Sequence, residues 1–175
     1  MNLIINGITN SNFSEFETKL EEMDRKDLVY FKLRELNINY CQGCWDCWVK
    51  TPGICALKDD YEQILSRIPS ADQLTIITPI LAGYESSLIK KFKDRLIPMI
   101  HPYIESYQGE QHHRRRYDKL PDIKVIVLED EDTTDEDIAI LTELYERTSF
   151  NLRNKLIELV RIKEGAEFEH VFTHI

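Results

Sequence analysis

Apolar and polar positions along this chain change period several times, and each change marks an element. Asn2–Asn6 (NLIIN) is an apolar run closed by Gly7, the pattern of a short buried strand. Behind Ser14, a residue suited to an N-cap, Phe16, Leu20 and Met23 then fall at helical spacing. In Leu28–Leu36 the residues Val29, Phe31 and Leu33 alternate with Tyr30, Lys32 and Arg34, the period of two expected of a strand with one wetter face. Asp59 and Asp60 precede a helical pattern reaching about Ile68, and their charge suits the positive end of a helix dipole. Asp72–Ile80 (DQLTIITPI) is β-branched and apolar throughout, as a strand buried on both faces is, and Pro79 is expected to end it. Ser86–Ile100 predicts an amphipathic helix with Leu88, Phe92, Leu96 and Ile97 on one face and a last turn disturbed by Pro98. Ile123–Glu129 reads as another buried strand, Thr134–Ile162 as one long helix with an acidic start, and Glu167–Ile175 as a terminal alternating strand. Between them, about 101–122 is a polar excursion without a clear period.

Strand and helix therefore alternate five times, and hairpin signals such as Asn-Gly between two strand runs are missing. The economical architecture is α/β: a three-layer, doubly wound, five-stranded parallel sheet in the flavodoxin-like order 2-1-3-4-5. In such a sheet ligands sit beyond the carboxyl ends of the strands, here on the loops after Asn6, Thr78 and Glu129.

Composition narrows the class. With 175 residues, 42% of them hydrophobic and 30% charged, the chain is expected to fold as one domain over 1–175. No apolar run approaches the roughly 18 to 20 residues of a membrane span, and the first residues lack a signal-peptide pattern, so a cytoplasmic location is expected. The net charge of −9 argues against nucleic acid and acidic membrane surfaces as partners. One basic island, His112–Tyr117 (HHRRRY), is either a solvated loop or a local anion site for a phosphate-bearing ligand.

All four cysteines lie in Cys41–Cys55 (CQGCWDCWVKTPGIC). In a reducing compartment such a cluster is more often a metal or catalytic site than a disulfide framework. Cys41, Cys44 and Cys47, at offsets of three, can converge from one tight loop, and Cys55, returning past Pro52-Gly53, can complete a four-thiolate shell for a 4Fe-4S cluster shielded by Trp45, Trp48 and Val49. Three other readings stay open: a structural zinc site, a thiol pair cycling with its disulfide, and small residues retained for packing.

The spacing C-x2-C-x2-C-x7-C, followed by Asp59-Asp60 and by Thr78–Pro98 (TPILAGYESSLIKKFKDRLIP), resembles the NAD(P)H-dependent FMN reductases and iron-sulfur flavoproteins of the flavodoxin-like superfamily. Pro79, Ser86, Ser87, Lys90, Asp94 and Arg95 carry that likeness, and so does Arg116–Pro121 (RYDKLP). The resemblance implies FMN as cofactor and NAD(P)H as co-substrate. It places the flavin phosphate on Gly7, Thr9, Asn10, Ser11 and Asn12, although the basic residue usual in such loops is absent. The ring would lie along Pro79, Ile80, Leu81, Ala82 and Gly83, with Tyr84 stacking on it or on a neighbouring subunit. Cys41, Cys44, Cys47 and Cys55 would hold the cluster.

The function implied is a flavin-dependent NAD(P)H oxidoreductase or electron-transfer flavoprotein, in which hydride chemistry belongs to the cofactor and no side chain is an obligatory catalyst. Its partner would be a small-molecule electron acceptor or a redox protein, and its assembly a homodimer or homotetramer. The alternatives are a flavodoxin-like redox carrier, or a non-catalytic binding protein whose phosphate loop has degenerated.

Overall fold

The computed structural model describes residues 1–9, 12–23 and 26–172. Five parallel strands form the main sheet: β1 (Asn2–Asn6), β2 (Leu28–Lys32), β3 (Gln73–Leu81), β7 (Asp122–Glu129) and β8 (Leu156–Lys163), in the order β2-β1-β3-β7-β8. Counting only these strands, this is the expected order 2-1-3-4-5. A two-residue strand, β4 (Tyr84–Glu85), folds back on the end of β3, and β5 (Ile100–Tyr107) with β6 (Glu110–Arg115) makes a separate antiparallel hairpin.

Registers across the sheet explain the two cores. Phe31, Ile5, Ile76, Val125 and Leu159 lie in successive partner positions and belong to the larger core, packed against α3 (Tyr61–Leu65), α4 (Ser87–Asp94) and α5 (Asp135–Leu152). Offset by one residue, Ile77, Ile126 and Val160 face the other way and, with Ile4, meet α1 (Ser14–Glu21) and α6 (Glu169–Phe172). β1, β3 and β7 are buried on both faces, which is why their sequences are apolar without alternation.

Five expectations are corrected. The long helix ends at Leu152, where Arg153 takes the left-handed conformation (φ 56°), and Leu156–Lys163 becomes the fifth parallel strand. That strand replaces the terminal one expected at Glu167–Ile175: Phe168, Val171 and Phe172, at offsets of three and four, form and flank α6 and pack around Phe16, while residues 173–175 lie outside the described ones. The polar excursion is the β5–β6 hairpin, turned by Gln108 (φ 53°) and Gly109 (φ 81°), two left-handed residues of the kind a two-residue hairpin turn needs. Pro79 does not end β3 but pairs in register with Leu128; β1 stops at Asn6, opposite Ile77, so β3 has no β1 neighbour there for a Pro79 N–H to meet. Finally, α1 is entered from Phe13, with Ser14 already inside the helix and no side chain capping it.

Candidate functional site

The chain leaves β2 through a turn of 3-10 helix at Leu33–Glu35 and enters the cysteine stretch. Gly43 (φ 61°) and Trp45 (φ 61°) are both left-handed, and they fold Cys41–Cys47 into a tight loop ending in α2 (Asp46–Val49). Gly53 donates its N–H to the Cys47 carbonyl at 3.0 Å, which turns the chain so that Cys55 comes back to the others. All four cysteines line one pocket, together with Gly43, Trp45 and Arg95. Cys41 and Cys44 are exposed, Cys55 is intermediate and Cys47 is buried. Burial, then the neighbouring Cys55, Cys44 and Cys41, push the Cys47 thiol up to about 11.

Two buried charges hold this loop. Asp59 accepts from the Asn39 N–H (2.9 Å), the Asn39 side-chain amide (3.1 Å) and Arg95 Nη1 (2.6 Å), while Asp60 accepts from the Asn37 N–H (2.8 Å). The acidic pair thus ties down the chain just before Cys41, a role beyond the helix-dipole one the sequence suggested. Arg95 Nη2 donates to Cys55 Sγ at 3.2 Å, and its guanidinium carbon lies 4.4 Å from the centre of the Tyr61 ring. Arg95 and Asp59 side chains are each 1% exposed, which makes this the most enclosed ion pair beside the cysteines. Burial opposes both charges, but the pairing outweighs it: the Asp59 carboxyl is held below its ordinary value and the Arg95 guanidinium above. Sequence patterning missed the Arg95–Cys55 contact because the two residues are distant in the chain; only the resemblance singled out Arg95.

Of the three expected shields, Trp48 anchors rather than covers. Its Nε1 donates to the Ile97 and Ile100 carbonyls at 3.1 and 3.0 Å, and its ring lies between those of Trp45 (4.9 Å) and His113 (5.1 Å). Trp45 is half-exposed and Val49 faces solvent at 77% exposure.

At the carboxyl end of the sheet, Gly7 sits so close to the start of α4 that a Cβ there would lie 2.3 Å from Ile89 Cγ1 and 2.8 Å from Ser86 Oγ. Thr9 and Asn12 are exposed beside the uncapped first turn of α1; Asn10 and Ser11 fall outside the described residues. Thr78–Ser86 is a tight hairpin, with Ala82 (φ 51°) and Gly83 (φ 75°) as its two turn residues and Leu81 opposite Tyr84. A Cβ on Gly83 would meet Asp137 Oδ1 at 2.6 Å, so this turn rests on the capping box that Thr134 and Asp137 form at the start of α5. Asn12, Asp130, Glu131, Asp132, Lys163 and Glu164 line an open groove of about 630 Å³ between the loops after β1, β7 and β8.

The basic island lies on β6 and just after it. Arg114, Arg115 and Arg116 line an open cleft with His101 and Tyr103, while Arg115 and Arg116 also bond the carbonyls of Asp118 and Ile100. The histidines are tied into the hairpin: His112 contacts Glu110 and Asn151, and His113 the His101 carbonyl.

The residues present suit the two groups unequally. Among the described residues no three His, Cys, Asp or Glu side chains are placed for one metal ion. A mononuclear zinc site would need its sulfurs about 4 Å apart, given Zn–S bonds of about 2.3 Å. A cluster spreads the same four thiolates over several metal atoms, and the pocket joins four thiols to a cation whose buried Nε has no hydrogen-bond partner. The enclosed space is about 20 Å³, room for about one water, and Cys41 and Cys44 form its exposed edge. For a flavin mononucleotide, the Thr9 hydroxyl and the uncapped α1 amides could serve a phosphate, whereas the Asn12 amide already donates to Glu164 at 3.1 Å; Leu81, Ala82 and Tyr84 offer partly exposed surface for a ring. Against them stand four carboxylates and a single lysine in the groove.

No established protein-family profile matches the chain. It is 31% identical over 97 residues to the iron-sulfur flavoprotein of Archaeoglobus fulgidus, covering 53% of this chain and 47% of that protein. It is 35% identical over 69 residues to an iron-sulfur flavoprotein of Methanocaldococcus jannaschii, covering 39% and 34%. The chain thus spans about half or less of the curated relatives it matches. The FMN-dependent NADH-azoreductase of Bacillus anthracis superposes with a TM-score of 0.55 over 98% of this chain and 90% of that one at 15% identity, a likeness of fold. The chain therefore carries a flavodoxin-like fold, and its sequence is similar to that of the iron-sulfur flavoproteins.

Proposed function

We propose that the protein is a flavin-dependent NAD(P)H oxidoreductase of the electron-transfer kind, with FMN at the carboxyl edge of the sheet and a 4Fe-4S cluster on Cys41, Cys44, Cys47 and Cys55. The observation that carries this reading is the convergence of all four cysteines on one pocket beside a buried arginine, within a flavodoxin-like fold. When bound, the flavin supplies hydride acceptance from NAD(P)H and the cluster supplies one-electron traffic to a small-molecule acceptor or redox protein. This chain's residues would do the holding: Gly7, Thr9, Asn10, Ser11 and Asn12 the phosphate; Pro79, Ile80, Leu81, Ala82 and Gly83 the ring; and Tyr84 the ring or a second copy in a homodimer or homotetramer. Four unpaired thiols around one pocket suit a reducing cytoplasm. No described helix is long and apolar enough to cross a membrane.

The test is an absorption spectrum of anaerobically purified protein before and after adding FMN and desalting, with iron and acid-labile sulfide assayed on the same sample. Retained flavin bands with four irons and four sulfides per chain are expected. Flavin without iron would remove the cluster; neither chromophore would leave the fold alone. A redox carrier without NAD(P)H chemistry is the second reading, favoured by the carboxylates around the phosphate loop, and it predicts a cluster without nicotinamide oxidation.

A further inference from the structure

The four cysteines share their pocket with one cation, and that cation is more than a tether. The Arg95 side chain is 1% exposed and spends its two terminal nitrogens on three acceptors: Asp59 Oδ2 at 2.6 Å, the Asn39 carbonyl at 3.3 Å and Cys55 Sγ at 3.2 Å. Its Nε is buried without a partner. A buried guanidinium N–H lacking an acceptor carries a desolvation cost, so this cation is held beside the cysteines at the expense of part of its own hydrogen bonding. Asp59 cancels most of the charge of Arg95 for the fold, but the hydrogen bond to Cys55 is directed at a ligand atom.

We propose that Arg95 tunes the reduction potential of the cluster site through its hydrogen bond to Cys55 Sγ. This rests on the reading that the loop holds a 4Fe-4S cluster. Four thiolates and a 4Fe-4S core carry net negative charge, and accepting one electron from a one-electron reductant adds another negative charge with no bond made or broken. A hydrogen bond to a ligand sulfur favours the more negative state, and burial strengthens it by excluding water. Arg95 is thus a positioning residue: it fixes Cys55 on one side and, through Asp59 and Asn39, the approach to Cys41 on the other.

The experiment reconstitutes the cluster anaerobically in the full chain and titrates it with dithionite, followed by electron paramagnetic resonance, in the wild type, Arg95→Lys and the double variant Asp59→Asn/Arg95→Gln. The double variant removes both partners of the buried pair, so no lone carboxylate is stranded. With iron and sulfide contents unchanged, the potential is expected to move to more negative values in both variants, each of which loses the guanidinium donor to Cys55 Sγ; the double variant removes one positive and one negative charge together, so its shift reads the hydrogen bond rather than net charge. Lys119→Gln, an exposed site outside the cysteine pocket, leaves the potential in place. Potentials equal to wild type in both loaded variants would overturn the proposal and leave Arg95 a structural clamp. Absence of iron and sulfide from reconstituted wild-type protein would instead overturn the cluster reading itself, and this proposal with it.

Discussion

Two residues show how closely the loops of this protein are set. Gly7 needs no unusual backbone conformation, yet its missing side chain lets the loop after β1 lie against Ile89 and Ser86, and Ile89 is wholly buried. Gly7→Ala is expected to cost about 1–3 kcal/mol through overpacking, read as a lower urea midpoint with an unchanged slope, and Ile89→Val in the same chain should recover part of it. Asp59 makes a pH-dependent contribution. Burial would raise its pKa, but Arg95 and Asn39 more than reverse that and hold it below the ordinary 3.8. The unfolded chain then binds this proton more tightly than the folded one, so the stabilisation is complete above about pH 3.8 and is lost as pH falls through the lower folded value. Asp59→Asn should flatten that acid limb in denaturant titrations from pH 5 to pH 2. At neutral pH it should destabilise by about 3–5 kcal/mol, because Arg95 is left enclosed without its carboxylate.

At the scale of elements, the turns decide what surrounds the site. Ala82 and Gly83 both take positive φ between β3 and β4, a geometry that suits Gly or Asn better than Ala. Ala82→Gly is therefore expected to raise stability by up to about 1 kcal/mol, and Gly83→Ala to lower it by more than that, since its Cβ would press on Asp137 and disturb the α5 capping box. Thermal unfolding of the two variants should move in opposite directions. Turns also mark where the sequence was legible. The buried strands β1, β3 and β7 were readable because a strand covered on both faces must be apolar throughout, and the strand order followed from their alternation with helices. β8 was hidden because Leu152, Leu156, Leu159 and Ile162 keep helical offsets while Leu159, Arg161 and Lys163 alternate with Val160 and Ile162; the break at Arg153 contains neither Gly nor Pro. The β5–β6 hairpin was hidden because its turn is Gln-Gly and its strands are mostly exposed, so neither the usual dipeptide nor an apolar face announced it. The cysteine pocket was legible from spacing alone. The contact of Arg95 with Cys55 was not, because tertiary folding brings the two together; the residue itself was singled out only by the resemblance.

Over the whole molecule, charge sets the terms on which the carboxyl edge of the sheet can take an anion. The chain carries nine more negative than positive side chains, and Asp130, Glu131, Asp132 and Glu164 lie in the groove beside Asn12, with Lys163 the lysine among them. The α1 amides and the Thr9 hydroxyl would attract a phosphate over the short range of hydrogen bonds, while the Asn12 amide is already engaged by Glu164, and carboxylates around an open groove repel an anion over a longer range that salt screens. The two effects separate by ionic strength. If the phosphate of FMN seats on this loop, Asp130→Asn/Glu131→Gln/Asp132→Asn removes three repulsions of about 0.5 kcal/mol each, the scale of an exposed charge pair. Roughly tenfold tighter FMN binding should follow at 20 mM salt, and the gain should shrink severalfold at 0.5 M, where the Debye length is only about 4 Å. Fluorescence quenching of FMN measures this directly. None of the three changes touches the cysteine pocket, so the iron and sulfide contents of the triple variant should match the wild type. Equal FMN affinity in wild type and variant at both salt concentrations would place the flavin phosphate away from the loop after β1, because no anion seated beside Asn12 can be indifferent to three charges in the same groove.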